Sequence, residues 1–270
     1  MGTFTSDGVG LAYHGEAADP VVCLPGGPMQ ASSYLAGLPV DNAVRLDLRG
    51  TGESEEAGDY RVDVQVGDVE AVRRHLGLDR IRLLGHSAGG TLAVLYAARY
   101  PQHVEELLLV TPSPRVVGIE VTDADRREIA EKRHAEPWFE QAYAAFQRIW
   151  AGDFSAEAFQ GITPFLHGRW DAQARALDEH PRNDEAAKAF YGEGAFDPAR
   201  VREQIGKLDV PTLLLAGELD VSLPPRRAQE FADLFPRARL VVQPGAGHYP
   251  WLDDPEAFSA TFSAAVHRIP

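Results

Sequence analysis

Gly85-His86-Ser87-Ala88-Gly89 sets a serine between two glycines, directly after the run Ile81-Arg82-Leu83-Leu84 and before the helical stretch Gly90 to Ala97. A strand turning sharply into a helix holds such a serine in a strained turn with its hydroxyl projecting, and glycines are needed where side chains would collide. The turn also leaves the Ala88 N–H at a helix start, where it can donate to a developing oxyanion. A serine hydroxyl is a weak nucleophile until a base removes its proton. Nine histidines compete for that task. His248 lies in the turn Pro244-Gly245-Ala246-Gly247-His248, straight after the apolar run Leu240 to Val242, and so at a strand end. His86 adjoins the serine, where neighbouring side chains diverge, and is expected to be structural or to line a pocket. His14, His75, His103, His134, His167, His180 and His267 follow no such strand end and are expected to be solvated or packed.

An imidazole base needs a carboxylate to fix its tautomer and stabilise its charged form. Asp220 ends the stretch Thr212-Leu213-Leu214-Leu215-Ala216-Gly217-Glu218-Leu219-Asp220, just past a strand. Glu218 is two residues nearer that strand and should leave the loop too early. Thr111 holds the alternative acid position after the preceding strand and cannot serve. The chain order Ser87, Asp220, His248 therefore makes a nucleophile, acid and base. A second oxyanion donor belongs in the glycine-rich turn Pro25-Gly26-Gly27-Pro28-Met29, and Gly27 is the choice. Asp47 and Arg49, in the loop Asp47-Leu48-Arg49-Gly50-Thr51-Gly52-Glu53-Ser54, read as structural groups that hold that loop beside the serine turn. No metal-ligand spacing, phosphate loop or dinucleotide fingerprint is present, so neither a cofactor nor a metal is expected.

The elements that must position these groups are short apolar runs at Val21 to Leu24, Ala43 to Leu46, Ile81 to Leu84, Leu107 to Val110, Thr212 to Ala216 and Leu240 to Val242, each read as a buried strand. Helical periodicity appears between them, as at Val62, Val66, Val69, Val72 and Leu76, and again at Phe258, Phe262, Val266 and Ile269. Strand and helix in alternation imply a mostly parallel sheet covered on both faces. The alternation breaks after Thr111-Pro112-Ser113-Pro114 and resumes at Val210-Pro211-Thr212. The segment between is helical in pattern and carries 12 of the chain's aromatic residues in about a third of its length. It reads as a helical cap, residues 113–205, inserted into a core formed by 1–112 and 206–270. Its aromatics either cover an apolar pocket or pack the cap itself. Trp138, Trp170, Met29 and His86 are the candidate pocket residues.

The chain has 270 residues, 44% of them hydrophobic, enough for one sizeable core with a modest insertion. Lys and Arg number 26 against 40 Asp and Glu, and the formal charge of −14 repels phosphate backbones and anionic lipid headgroups, so nucleic acid and membrane partners are not expected. A small-molecule substrate is. Cys23 is the only cysteine, excludes an intrachain disulfide, and sits in an apolar run as a buried thiol. The N-terminal residues lack a basic start followed by an apolar stretch, and a cytoplasmic location is the expectation.

Taken together, Gly26-Gly27-Pro28, the Asp47 to Ser54 loop, the serine turn, Gly217-Glu218-Leu219-Asp220 and Gly245-Ala246-Gly247-His248 resemble the α/β-hydrolase superfamily, most closely its proline iminopeptidase-like branch. The resemblance implies the α/β-hydrolase fold and a serine hydrolase, of esterase or aminopeptidase type, that cleaves a small ester or amide through an acyl-enzyme. In iminopeptidases the two turns usually read His-Gly-Gly-Pro-Gly and Gly-Gly-Ser-Trp-Gly, where Pro25, Met29, His86 and Ala88 stand here. His before the serine and a small residue after it look more like esterases and lactonases of the superfamily. A lactonase, a carbon–carbon bond hydrolase or a non-catalytic ligand-binding relative are the alternatives.

Overall fold

The computed structural model describes residues 1–153, 155–177 and 182–266. Eight strands form one sheet: β1 (Gly2–Ser6), β2 (Val9–His14), β3 (Val21–Leu24), β4 (Ala43–Leu46), β5 (Ile81–His86), β6 (Val104–Val110), β7 (Thr212–Gly217) and β8 (Ala238–Gln243). Their spatial order is β1-β2-β4-β3-β5-β6-β7-β8. From β4 to β8 every neighbouring pair is parallel, whereas β1, β2 and β4 pair antiparallel. This is the α/β-hydrolase fold expected from the sequence.

Four of the six runs read as buried strands, in β3, β5, β6 and β7, owe their continuous hydrophobicity to burial on both faces, whereas Ala43 to Leu46 of β4 is buried only at alternate positions and Leu240 to Val242 of the edge strand β8 is half-buried. Val22, Leu24, Leu83, Leu107, Leu109, Leu214 and Ala216 pack into one core, with Val62, Val66, Val69 and Val72 of α1 (Val62–His75) and with Leu92 and Ala93 of α2 (Ala88–Arg99). The alternate residues Val21, Cys23, Leu84, Leu108, Val110, Leu213 and Leu215 pack into a second core on the opposite face, against Tyr34, Trp251, Phe258 and Phe262. Cys23 is buried and unpaired, and burial pushes its thiol pKa up to about 12. The hairpin β1–β2 escapes the hydrophobic reading because it lies at the sheet edge, where β1 is buried only at alternate positions and β2 only at Leu11 and Ala12. Its signal was the two-residue turn Asp7-Gly8, whose φ values of 49° and 82° suit a tight hairpin.

Between β6 and β7 the described residues form six α-helices: α3 (Asp123–Glu131), α4 (Phe139–Trp150), α5 (Ala156–Gly161), α6 (Ala172–Leu177), α7 (Asp184–Phe190) and α8 (Pro198–Ile205). Much of the insertion's aromatic content packs within it. Phe139, Phe146 and Phe165 cluster with Ile129, and Trp138 meets Phe165 edge to face at 5.0 Å. Phe190, Val201 and Ile205 instead join the main core beneath α2. After β7 come α9 (Pro225–Ala232), then β8, α10 (Pro250–Asp253) and α11 (Pro255–Val266). Phe258 and Phe262 of α11 are buried as their spacing predicts; the Val266 side chain and Ile269, as well as His180 and His267, lie outside the described residues.

Candidate active site

The sheet register brings the chemical residues to one edge. His86 pairs with Val110 and Val110 with Leu215, so the next residue of each strand, Ser87, Thr111 and Ala216, emerges at the same level. Two further bonds, from Ser87 N–H to the Val110 carbonyl and from Thr111 N–H to the Leu215 carbonyl, extend that alignment. After β3 the chain adds β4 on one side and then crosses to lay β5 on the other. The chain therefore runs to opposite sides of the sheet after β3 and after β5, the switch point at which such folds place a ligand crevice, at the C-terminal ends of the strands.

Ser87 sits in that crevice with φ 52° and ψ −117°, a left-handed conformation strained for a residue with a Cβ. It is the one residue from Ile81 to Val94 that is not buried. Gly89 lies so close to the Leu24 and Pro25 carbonyls that any side chain there would collide with backbone. A Cβ on Gly26 would come within 2.8 Å of both the Ser87 Cβ and the His86 carbonyl oxygen, so the loop after β3 rests directly on the serine turn. Among the described residues, the N–H groups of Gly27 and Ala88 have no hydrogen-bond acceptor.

His248 Nδ1 is 2.9 Å from the Asp220 Oδ2, and both side chains are buried. The other carboxylate oxygen of Asp220 accepts the Ser222 N–H at 2.7 Å. Glu218 takes no part, since its carboxylate receives the Gly245 N–H at 2.8 Å. The His248 loop is held from the insertion as well, by a bond of 2.7 Å from its N–H to the Leu166 carbonyl. Ser87 Oγ makes no hydrogen bond to the His248 ring in this structure; His86 connects the two segments instead.

That connection went unread in the sequence. The buried Tyr34 hydroxyl accepts the Gly26 N–H at 2.7 Å and stands 2.7 Å from His86 Nδ1. His86 Nε2 is 3.0 Å from the His248 carbonyl oxygen. A carbonyl only accepts, so Nε2 carries the proton and Nδ1 accepts from Tyr34. Burial, together with the nearby His248, holds His86 well below the usual histidine pKa, which keeps this neutral tautomer in place. Thr111 Oγ1 donates to the same His248 carbonyl at 2.9 Å. The position without an acid thus anchors the His248 loop. Spacing alone carried no signal for this chain of contacts, because Tyr34, His86, Thr111 and His248 meet only through the folded sheet.

Asp47 and Arg49 behave as read: Asp47 accepts the Ser32 N–H at 2.9 Å and the Glu53 N–H at 3.0 Å, and Arg49 grips Asp68 of α1 with two bonds of 2.7 and 2.5 Å. His14 bonds Asp47 at 2.9 Å. His75 stacks on Phe4 at 5.5 Å, and His103 and His134 meet the Asp79 and Glu131 carbonyls.

A cavity of about 980 Å³ opens beside Gly27, walled by Phe146, Ile162 and Leu166 of the insertion and by Val221, Ser222 and Tyr249, immediate neighbours of Asp220 and His248. None of the four side chains expected to line a pocket stands on this wall. Met29 turns into the main core and His86 is spent on Tyr34 and His248. Trp138 and Trp170 border a separate groove of about 550 Å³ on the insertion, with Arg133 and Arg175 stacked over their rings. Composition shows that a segment is aromatic; which way each ring points depends on helix packing.

His167 is fully buried, stacked on Tyr249 at 4.9 Å, and neither ring nitrogen has a hydrogen-bond partner among the described residues. Burial, then the neighbouring His248, lowers its pKa to about 4. Unfolding restores the ordinary 6.5, so between those values the unfolded chain binds more protons and stability declines as pH falls. Lowering pH from 7 to 4 is expected to cost roughly 3 kcal/mol through this side chain alone. Urea midpoints across that range should fall less steeply in His167→Phe, and parallel curves would assign the acid sensitivity elsewhere.

A family model of the alpha/beta hydrolase fold matches residues 19–255. The chain belongs to the α/β-hydrolase family. Within this family a Bacillus subtilis protein, provisionally named 2-succinyl-6-hydroxy-2,4-cyclohexadiene-1-carboxylate synthase, is 29% identical over the full length of both chains. The proline iminopeptidase of Heyndrickxia coagulans is 24% identical over 93% of this chain and 91% of its own length. An esterase structure from Exiguobacterium antarcticum superposes with a TM-score of 0.71 at 20% identity, covering 98% of this chain and 99% of that one. That degree of identity speaks to the fold alone. The iminopeptidase branch is therefore one distant kinship among several. No helix among the described residues is long and apolar enough to cross a membrane, and no group of three or more His, Cys, Asp or Glu among them has the geometry to hold a metal ion.

Proposed function

We propose that this α/β-hydrolase cleaves small carboxylic esters through an acyl-enzyme on Ser87. The reading rests above all on the 2.9 Å bond between His248 and Asp220 at the sheet edge where Ser87 emerges. His248 Nε2 removes the Ser87 proton as Oγ attacks the ester carbonyl, and the oxyanion is met by the free N–H groups of Gly27 and Ala88. The tetrahedral adduct collapses, the leaving alkoxide takes the proton from His248, and the acyl group stays on Ser87. Water then attacks that ester with the same base, and the acid departs.

The cavity wall favours esters over N-terminal proline peptides. A substrate with a free ammonium needs an unengaged carboxylate, and the only one among the described wall residues, Asp184, is bound by Arg182 at 2.6 Å. A fluorophosphonate probe followed by peptide mass spectrometry tests the reading, because only an activated serine is phosphonylated. An adduct on Ser87 is expected, together with turnover of short p-nitrophenyl esters well above that of prolyl p-nitroanilide. Folded protein that stays unlabelled would refute a serine hydrolase, and faster release from the anilide would restore the peptidase.

In this scheme Tyr34 is a positioning residue, holding the Gly26 turn and the His86 tautomer together. Tyr34→Phe leaves the buried Gly26 N–H and His86 Nδ1 without partners, which should cost about 1–3 kcal/mol of stability. It should also lower kcat roughly ten- to hundredfold with KM little changed, through misplacement of the oxyanion loop and base. A lowered melting temperature with unchanged kcat per folded enzyme would leave Tyr34 as packing only.

A further inference from the structure

The protein carries a net formal charge of −14, yet the cavity beside Gly27 presents an under-paired cation. Of the two arginines on its wall, Arg182 is neutralised by Asp184. Arg126 of α3 is not. Its Nη1 donates to the Val121 carbonyl, and its ion pair is with Asp123 at 3.7 Å, beyond hydrogen-bond distance. Asp125, the neighbour that looks best placed, is committed to Arg227 through bonds of 3.0 and 2.9 Å and to the Thr122 cap. Among the described residues, no acceptor takes the Nε or Nη2 of Arg126. Burial of the guanidinium lowers its pKa, against the opposing pull of Asp123, Asp125 and Glu120, so desolvation outweighs the acids around it. A partly desolvated cation is costly until an anion joins it, and a planar guanidinium with spare donors fits a carboxylate with two parallel bonds. The rest of the wall sets polar Gln30, Gln160, Thr163 and Ser222 beside apolar Phe146, Ile162, Leu166 and Val221, and this apolar part suits an aliphatic chain.

We infer that the substrate is an ester carrying a carboxylate remote from the scissile bond, which Arg126 binds while the apolar wall holds the chain between. This rests on the hydrolase reading and specifies its substrate class. A cavity of about 980 Å³ is roughly 10 Å across, room for a medium-length chain between Gly27 and Arg126, which both stand on its wall. The carboxylate belongs to either the acyl or the alcohol half, and matched substrates separate the cases.

The acyl pair is the mono-p-nitrophenyl ester of suberic acid and that of its monoamide, followed by p-nitrophenolate release. The alcohol pair is the butyrate ester of an ω-hydroxy acid and of the corresponding amide, followed by acid titration. In one of the pairs kcat/KM is expected to favour the carboxylate at least about tenfold, mainly through KM. Arg126→Gln should collapse that ratio towards one, Arg126→Lys should keep part of it, and Arg126→Glu should turn the preference towards an ω-amino chain. Equal turnover of acid and amide in both pairs, or a preference that survives Arg126→Gln, overturns the inference and leaves the hydrolase intact. No turnover of any of the four esters overturns both.

Discussion

Ester turnover by Ser87→Ala is expected to fall at least roughly a thousandfold while the protein remains folded, a loss of about 4 kcal/mol in transition-state stabilisation. The size follows from what the substitution removes and what it leaves. The bond-forming oxygen goes, so the acyl-enzyme cannot form. The Gly27 and Ala88 N–H groups, the His248–Asp220 pair and the cavity stay, and such surroundings still support a slow direct attack by water. Alanine carries a Cβ just as serine does, so the strain at φ 52° and the contact with Gly26 persist unchanged. Stability should accordingly shift little, which separates lost chemistry from lost fold. Initial rates with a p-nitrophenyl ester, alongside a thermal melt, make the comparison; turnover within tenfold of the parent would place the nucleophile elsewhere.

Asp220→Asn is expected to lower kcat by about ten-thousandfold, the scale known for the equivalent change in another serine hydrolase. The argument here comes from the partners of the two carboxylate oxygens. Oδ1 accepts the Ser222 N–H and Oδ2 faces His248 Nδ1, so both oxygens act as acceptors. Asparagine supplies one acceptor and one donor. If its oxygen keeps Ser222, the amide N–H meets His248 Nδ1 and forces the ring proton onto Nε2, the atom that must receive the Ser87 proton. The opposite flip sets an N–H against the Ser222 N–H inside a buried site, at a cost of about 1–3 kcal/mol. Either way the base is lost or the loop is strained. Fluorophosphonate labelling of Ser87 should slow in parallel with turnover, whereas undiminished labelling would remove Asp220 from the chemistry.

The comparison of Ser87 with Tyr34 shows where sequence reading stops. Ser87, Asp220 and His248 each follow a short apolar strand, and in a parallel sheet all such positions fall on one edge. Local pattern plus one rule of topology therefore carries them. Tyr34 belongs to a short turn of helix after β3, with no periodicity or neighbouring motif to mark it, and becomes informative only when its hydroxyl meets Gly26 and His86. The pocket illustrates the same limit: the sequence located the aromatic segment, yet Trp138 and Trp170 face a groove away from Gly27.

What the sequence determined by itself was the strand runs of the parallel sheet, the inserted helical segment, and the residue types standing at strand ends, because burial on both faces and tight turns constrain composition over a few consecutive positions. Tertiary structure alone decided how Tyr34 and His86 tie three loops together, and that Arg126 rather than an acid is the unbalanced charge on the cavity wall. Those outcomes depend on directions of side chains from segments far apart in the chain, and no local pattern encodes a direction in space until the sheet and its insertion have packed.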